Sequence, residues 1–141
     1  GIQASYTLLD SIQDIPITND LGEVVGTDTT PFFNVSDSSY SVVLAYEKPK
    51  YSIRLSYVWR DNFLSAYEAA QFANPLGIYN TDQESLDLQL TYNVTKNFSL
   101  TFDATNLTDE EYHSYYEHPT THNFGNWLIS RTFAIGARYD F

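Results

Sequence analysis

The sequence predicts an all-β chain: an antiparallel, up-and-down segment of a transmembrane β-barrel with about six strands. Three observations predict it. Apolar and polar residues alternate with period two through six runs, the pattern of strands whose two faces meet different surroundings. The connections between runs are alternately short and long. The two faces also differ in kind, one aliphatic with aromatic ends and the other rich in Ser, Thr, Gln, Asp and Arg, as a lipid-facing band and a wet lumen require.

The runs follow in order. Ile2, Ala4, Tyr6 and Leu8 alternate with Gln3, Ser5 and Thr7. Tyr40, Val42, Leu44 and Tyr46 alternate with Ser39, Ser41, Val43, Ala45 and Glu47, and Tyr51, Ile53, Leu55, Tyr57 and Trp59 with Ser52, Arg54, Ser56, Val58 and Arg60. Leu86, Leu88, Leu90, Tyr92 and Val94 oppose Ser85, Asp87, Gln89, Thr91 and Asn93. Phe98, Leu100, Phe102 and Ala104 oppose Ser99, Thr101, Asp103 and Thr105. The last run starts at Ile129 and places Phe133, Ile135, Ala137, Tyr139 and Phe141 opposite Thr132, Ala134, Gly136, Arg138 and Asp140. A tilted membrane strand needs about 9–11 residues, and each of these six runs is expected to form a strand of about nine to thirteen. A soluble antiparallel sandwich alternates as well, but its strands are usually ~5–6 residues long.

Two joints are tight, Lys48-Pro49-Lys50 and Thr95-Lys96-Asn97. The other three are long and of one charge sign. Asp10–Asp37, Asp61–Glu84 and Leu107–Trp127 hold fourteen of the eighteen acids, none of the seven Lys and Arg, and four of the five prolines. Proline cannot donate to a sheet ladder, so irregular loops are expected there. The net charge of −11 argues against a phosphate-binding surface and hence against nucleic acid. Cysteine is absent, which removes disulfides, thiolate metal sites and cysteine nucleophiles. No apolar run reaches the length of a transmembrane helix. Twelve tyrosines and nine phenylalanines argue against disorder. The chain opens at Gly1 and contains no methionine, which points to a processed or truncated product.

The block Asn106-Leu107-Thr108-Asp109-Glu110-Glu111-Tyr112, then Ser114-Tyr115-Tyr116, then Arg131 through Gly136-Ala137-Arg138-Tyr139-Asp140-Phe141 resembles the C-terminal barrel segment of TonB-dependent outer-membrane receptors. The stretches at Asn34-Val35-Ser36 and from Tyr46 to Tyr57 are similar to a proteobacterial branch linked to carbohydrate uptake. Ser130-Arg131 departs from that family's usual Gly-Arg. The resemblance spans residues 1–141 and implies short periplasmic turns, long extracellular loops, and a Gram-negative outer-membrane location. It further implies a plug domain and N-terminal strands outside this chain. The implied partners are outer-membrane lipid, a TonB energy-coupling complex engaged through an N-terminal region, and the barrel-assembly machinery, which would read Tyr139 and Phe141. Six strands alone cannot close a barrel, since about eight are needed.

Active transport of a nutrient is the function so implied. Loops carrying acids and no bases would repel an anionic ferric siderophore. Aromatic faces beside amides suit an uncharged oligosaccharide, stacked on its apolar side and hydrogen-bonded at its hydroxyls. Candidate ligand residues are Tyr67, Tyr79, Asn80, Tyr115, Tyr116, Asn126 and Trp127, and the same three acidic connections also supply Phe32, Phe33, Phe72, Tyr112, Asn123 and Phe124. Any one of these aromatics has a plainer role available in packing the loops or forming an outer girdle. His113, His118 and His122 lie close to Glu110, Glu111 and Glu117, yet their spacing matches no compact metal motif and solvated loop histidines are the commoner case. No cofactor and no catalytic residue is expected: Ser114 beside His113 fits no nucleophile motif, and Glu110-Glu111 reads as a hydrated loop. The sequons at Asn34, Asn93, Asn97 and Asn106 would matter only in a eukaryotic secretory product. A ferric-siderophore receptor and a soluble glycan-binding β-sandwich are the alternative readings.

Overall fold

A computed structural model of the chain describes residues 1–19, 21–68 and 76–141. Asp20, Phe72 and Pro75 therefore lie outside the described residues. Among the described residues the chain is all-β, with twelve antiparallel strands and no helix. They are β1 (Ile2–Leu8), β2 (Ile12–Thr18), β3 (Val24–Pro31), β4 (Ser38–Lys48), β5 (Tyr51–Arg60) and β6 (Phe63–Glu68). β7 (Leu76–Asn80), β8 (Gln83–Asn93), β9 (Phe98–Thr105), β10 (Glu111–Tyr116), β11 (Asn123–Leu128) and β12 (Thr132–Tyr139) follow.

The six alternating runs form one sheet in the order β1-β4-β5-β8-β9-β12, an up-and-down order once the long connections are set aside. Its register joins the apolar residues into rows across the sheet. Ile2, Leu44, Leu55, Leu88, Ala104 and Phe133 make one such row, and Tyr46, Ile53, Leu90, Phe102 and Ile135 the next. Aromatics close both margins, with Tyr40 and Trp59 stacked at 5.2 Å on one and Tyr46 against Tyr51 at 5.9 Å on the other. The opposite face carries rows such as Ala45-Arg54-Gln89-Asp103-Ala134 and Glu47-Ser52-Thr91-Thr101-Gly136. The sheet does not close, and β1 and β12 are its free edges.

The three long connections all leave from the same end of this sheet, and they correct the expectation of irregular loops. The first folds into the β2–β3 pair, while the second and third combine as the sheet β11-β10-β7-β6. Three strands of this sheet are also shorter than expected: β1 has 7 residues, β9 has 8, and β12 has 8 because it begins at Thr132 and leaves Ile129 to the connection.

Burial is unevenly shared. Phe63, Leu64, Ile78 and Tyr115 are buried in the four-stranded sheet, whereas the large sheet contributes only Ala104 to the buried apolar set of the described residues. Ile2 and Ile135 are 79% and 83% exposed. Among the described residues no layer covers the apolar face of the six-stranded sheet.

Candidate functional site

The Asn106-Leu107-Thr108-Asp109 block is a tight turn that launches the third connection. Asn106 (φ 53°) and Asp109 (φ 59°) both adopt left-handed backbone, which Asn and Asp tolerate better than most residues. Asp109 N donates to Asn106 O at 3.0 Å, and the Asn106 side chain accepts from Glu110 N at 3.0 Å and donates to Ile129 O. Arg131 reaches Asp109 at 3.3 Å. Asn106 is thus buried and fully occupied in fixing where β10 starts.

From that turn, β10 pairs with β7 on one side and β11 on the other, which brings the second and third acidic connections together. The pairing collects all seven candidate ligand residues onto one small sheet. Their roles separate at once. Tyr79 and Tyr115 stack at 5.8 Å, and Tyr115 is buried. Burial raises both phenols, with Glu117 adding to the shift of Tyr79 and Asp61 to that of Tyr115, so both stay protonated at neutral pH. Gly77 makes room for this stack: a Cβ there would meet the Tyr79 ring at 2.8 Å and Leu64 at 2.9 Å. Gly77 N donates to the Glu117 carboxylate at 2.7 Å. Asn80 accepts from the Ser114 hydroxyl, and the Tyr116 ring meets Phe124 edge-on at 5.2 Å. Tyr67 donates to Asp28 of β3, fastening the first connection to the second. Tyr67, Tyr79, Asn80, Tyr115 and Tyr116 are therefore engaged in holding the connections together, the plainer of the two roles available to them.

Asn126 and Trp127 differ. Trp127 is half exposed, with its indole lying over Gly125, where a Cβ would come within 3.4 Å of the ring. Asn126 points to the other face of β11 and borders a cleft of about 430 Å³ between the β10–β11 pair and the turn at residues 118–122. Glu111, His113, Thr120, Thr121 and Asn123 complete its polar lining, and Tyr112 adds an aromatic edge. His113 Nε2 meets Asn123 Oδ1 at 2.7 Å across the cleft floor. The turn is held by His122 N donating to His118 O at 3.1 Å and Tyr116 N donating to His122 O at 2.8 Å. Glu111 and the two threonines were not singled out from sequence as ligand residues. Pro119 lies in a stretch expected to be an irregular loop, and nothing in the sequence said that a turn there folds back over β10.

The rings of His118 and His122 lie 5.5 Å apart, and neither joins His113. Among the described residues no three of His, Asp and Glu converge as a metal would need. Ser114 and His113, adjacent in β10, project to opposite faces of the strand and cannot act as a pair. Tyr139 packs edge-on against Phe141 at 5.1 Å, and Phe141 is otherwise fully exposed.

No family model, no curated protein and no solved structure matches this chain.

Proposed function

We propose that the chain is the C-terminal part of the β-barrel of an outer-membrane active-transport receptor of the TonB-dependent kind, taking up a neutral nutrient such as an oligosaccharide. One observation carries this reading: a six-stranded up-and-down sheet with an uncovered apolar face, aromatic at both margins, and a polar opposite face. Water on both faces would leave a far larger apolar patch than soluble monomers tolerate. Lipid on one face and an aqueous lumen on the other suit both. A soluble sandwich would bury the apolar face beneath a second sheet, and neither smaller sheet lies there.

The two short turns, at one end, then face the periplasm, and the acidic connections form the extracellular mouth. Free edges at β1 and β12 would be paired by further strands, since unsatisfied backbone groups are costly in lipid. Energy coupling and the plug would come from outside these residues. Tyr139 and Phe141 would be the residues that the assembly machinery reads.

The ligand class rests on the cleft at Asn126. It presents amides, hydroxyls, one imidazole and one carboxylate, and no Lys or Arg. Equilibrium binding to the intact receptor tests this. A neutral oligosaccharide should bind saturably, and Asn123→Ala with Asn126→Ala should weaken it by roughly thirtyfold, as expected for two lost hydrogen bonds of ~1 kcal/mol each. Saturable binding of a ferric siderophore with no response to any glycan would overturn the ligand class and favour the siderophore alternative.

A further inference from the structure

All three lysines of the chain sit at one end of the large sheet, Lys48 and Lys50 around Pro49 and Lys96 in the neighbouring turn. The turns are tied to each other: Asn93 N donates to Lys50 O at 2.8 Å and Asn93 Nδ2 to Pro49 O at 2.9 Å. Between them lies a cavity of about 490 Å³ bordered by Pro49, Lys50, Asn93, Thr95 and Lys96. The acids at this end are Glu47, which belongs to the polar face, and Asp140, which is paired with Arg138 at 2.9 Å. A chain of net charge −11 therefore keeps one cationic end.

Directly along the apolar face from these turns runs a groove of about 460 Å³, lined by Tyr51, Ile53, Leu90, Tyr92, Leu100 and Phe102. Lys50 connects the two features, since its Nζ lies 5.6 Å from the centre of the Tyr92 ring that bounds the groove. Lys48 Nζ sits at the same distance from the Tyr46 ring on the same face. An apolar channel whose mouth carries ammonium groups matches an amphiphile with an anionic head. A free phosphate would use the turns alone, and a zwitterionic lipid would gain little from the lysines.

We infer that this end of the sheet binds an anionic glycerophospholipid, with an acyl chain along the groove and the phosphate against Lys48, Lys50 and Lys96. The inference rests on the membrane reading above. Each lysine near a membrane surface favours an anionic lipid by roughly fivefold. Three lysines together should therefore give a preference well above tenfold.

The test uses the intact receptor in detergent, titrated with phosphatidylglycerol or with phosphatidylcholine of identical chains and read by native mass spectrometry. Phosphatidylglycerol should bind at least about tenfold more tightly, and sn-glycerol 3-phosphate should not displace it. Lys48→Gln, Lys50→Gln and Lys96→Gln together should abolish the preference while leaving heat-modifiable migration unchanged. Leu100→Trp, which fills the groove and spares the lysines, should weaken both lipids. Equal binding of the two lipids by the unaltered protein, a preference that survives the triple substitution, or displacement by glycerol phosphate would each overturn the inference. A receptor that requires detergent and migrates as a folded barrel but ignores the headgroup defeats this inference alone. One that is monomeric in plain buffer defeats the membrane reading with it.

Discussion

Leu88 and Gln89 are neighbours in β8 that face opposite surroundings. Leu88 stands between Leu55 and Ala104 in the middle of the apolar face, and Gln89 between Arg54 and Asp103 on the polar face. Leu88→Arg should cost ~2–4 kcal/mol of folding stability in lipid vesicles, the range for a cation near the bilayer midplane. Gln89→Arg stays on the polar face, where attraction to Asp103 offsets repulsion from Arg54, and should be mild. Equal costs in denaturant titration would mean that the faces are assigned the wrong way round. Gly77→Ala tests the stack among the connections. Its methyl group would enter the space of Tyr79 and of the buried Leu64, and overpacking of this kind costs about 1–3 kcal/mol. Proteolysis should then open the connections while the large sheet stays intact. Glu110 sets a pH dependence at the rim. Burial raises its carboxyl above the ordinary value, with Glu84, Asp82 and Glu111 adding to the shift. A raised folded value favours the neutral acid, so this contribution is complete below the unfolded value and is lost as pH rises through the folded one. Hydrogen-exchange protection around residues 106–111, corrected for the intrinsic rate, should therefore fall as pH rises through the Glu110 titration, and Glu110→Gln should remove that change.

At the scale of elements, the β2–β3 pair meets β6 through Tyr67 and Asp28, and the segment after β3 meets it through Asn34 N, which donates to Leu64 O at 2.7 Å. The hydrogen bond to Asp28, with burial and the charge of Asp28 adding to it, pushes the Tyr67 phenol up to about 12. The contact is thus complete below the ordinary tyrosine value of 10.0 and is lost between there and about 12, where the unfolded phenol ionises first. Protection of the hairpin should fall across that window, and Tyr67→Phe should abolish the step while loosening the hairpin at every pH. The six strands of the large sheet were legible in the sequence because each has one polar and one apolar face, which writes period two directly into the residues. The six strands of the connections were not legible, for reasons that can be located. Register shifts between Leu64 and Ala66 and between Ser114 and Tyr115 break their alternation. Pro16, read as a loop marker, sits in β2 opposite Thr27, in a two-stranded pair whose outer sides have no ladder to interrupt. The candidate site suffered for the same reason. Tyr79 and Tyr115 have ligand-type side chains, but a pairing between β7 and β10 across two separate connections turned them inward.

For the whole molecule, charge and hydrophobicity are distributed along the same axis. Fourteen acids occupy the connections at one end, the lysines the turns at the other, and between them the large sheet leaves Leu44, Ile53, Leu100, Phe133 and Ile135 exposed on one face. Acidic loops keep such a protein soluble at its ends without covering its middle. A net charge of −11 cannot offset a contiguous apolar face, because repulsion between molecules is screened beyond about 8 Å at physiological salt while apolar contact acts at the surface itself. The free edges of β1 and β12 add unpaired backbone groups on either side of that face, a template for pairing with other copies. The intact protein should consequently sediment as a single species only in detergent or lipid, and should associate in plain buffer more strongly as salt is raised. Replacing Leu44, Ile53, Leu90 and Ile135 by Thr, which keeps strand propensity and removes apolar area, should shift the balance toward buffer and weaken insertion into vesicles together. Sedimentation of the unaltered protein as a monodisperse monomer without detergent would remove lipid as the covering of this face and leave a soluble partner as its only physical explanation.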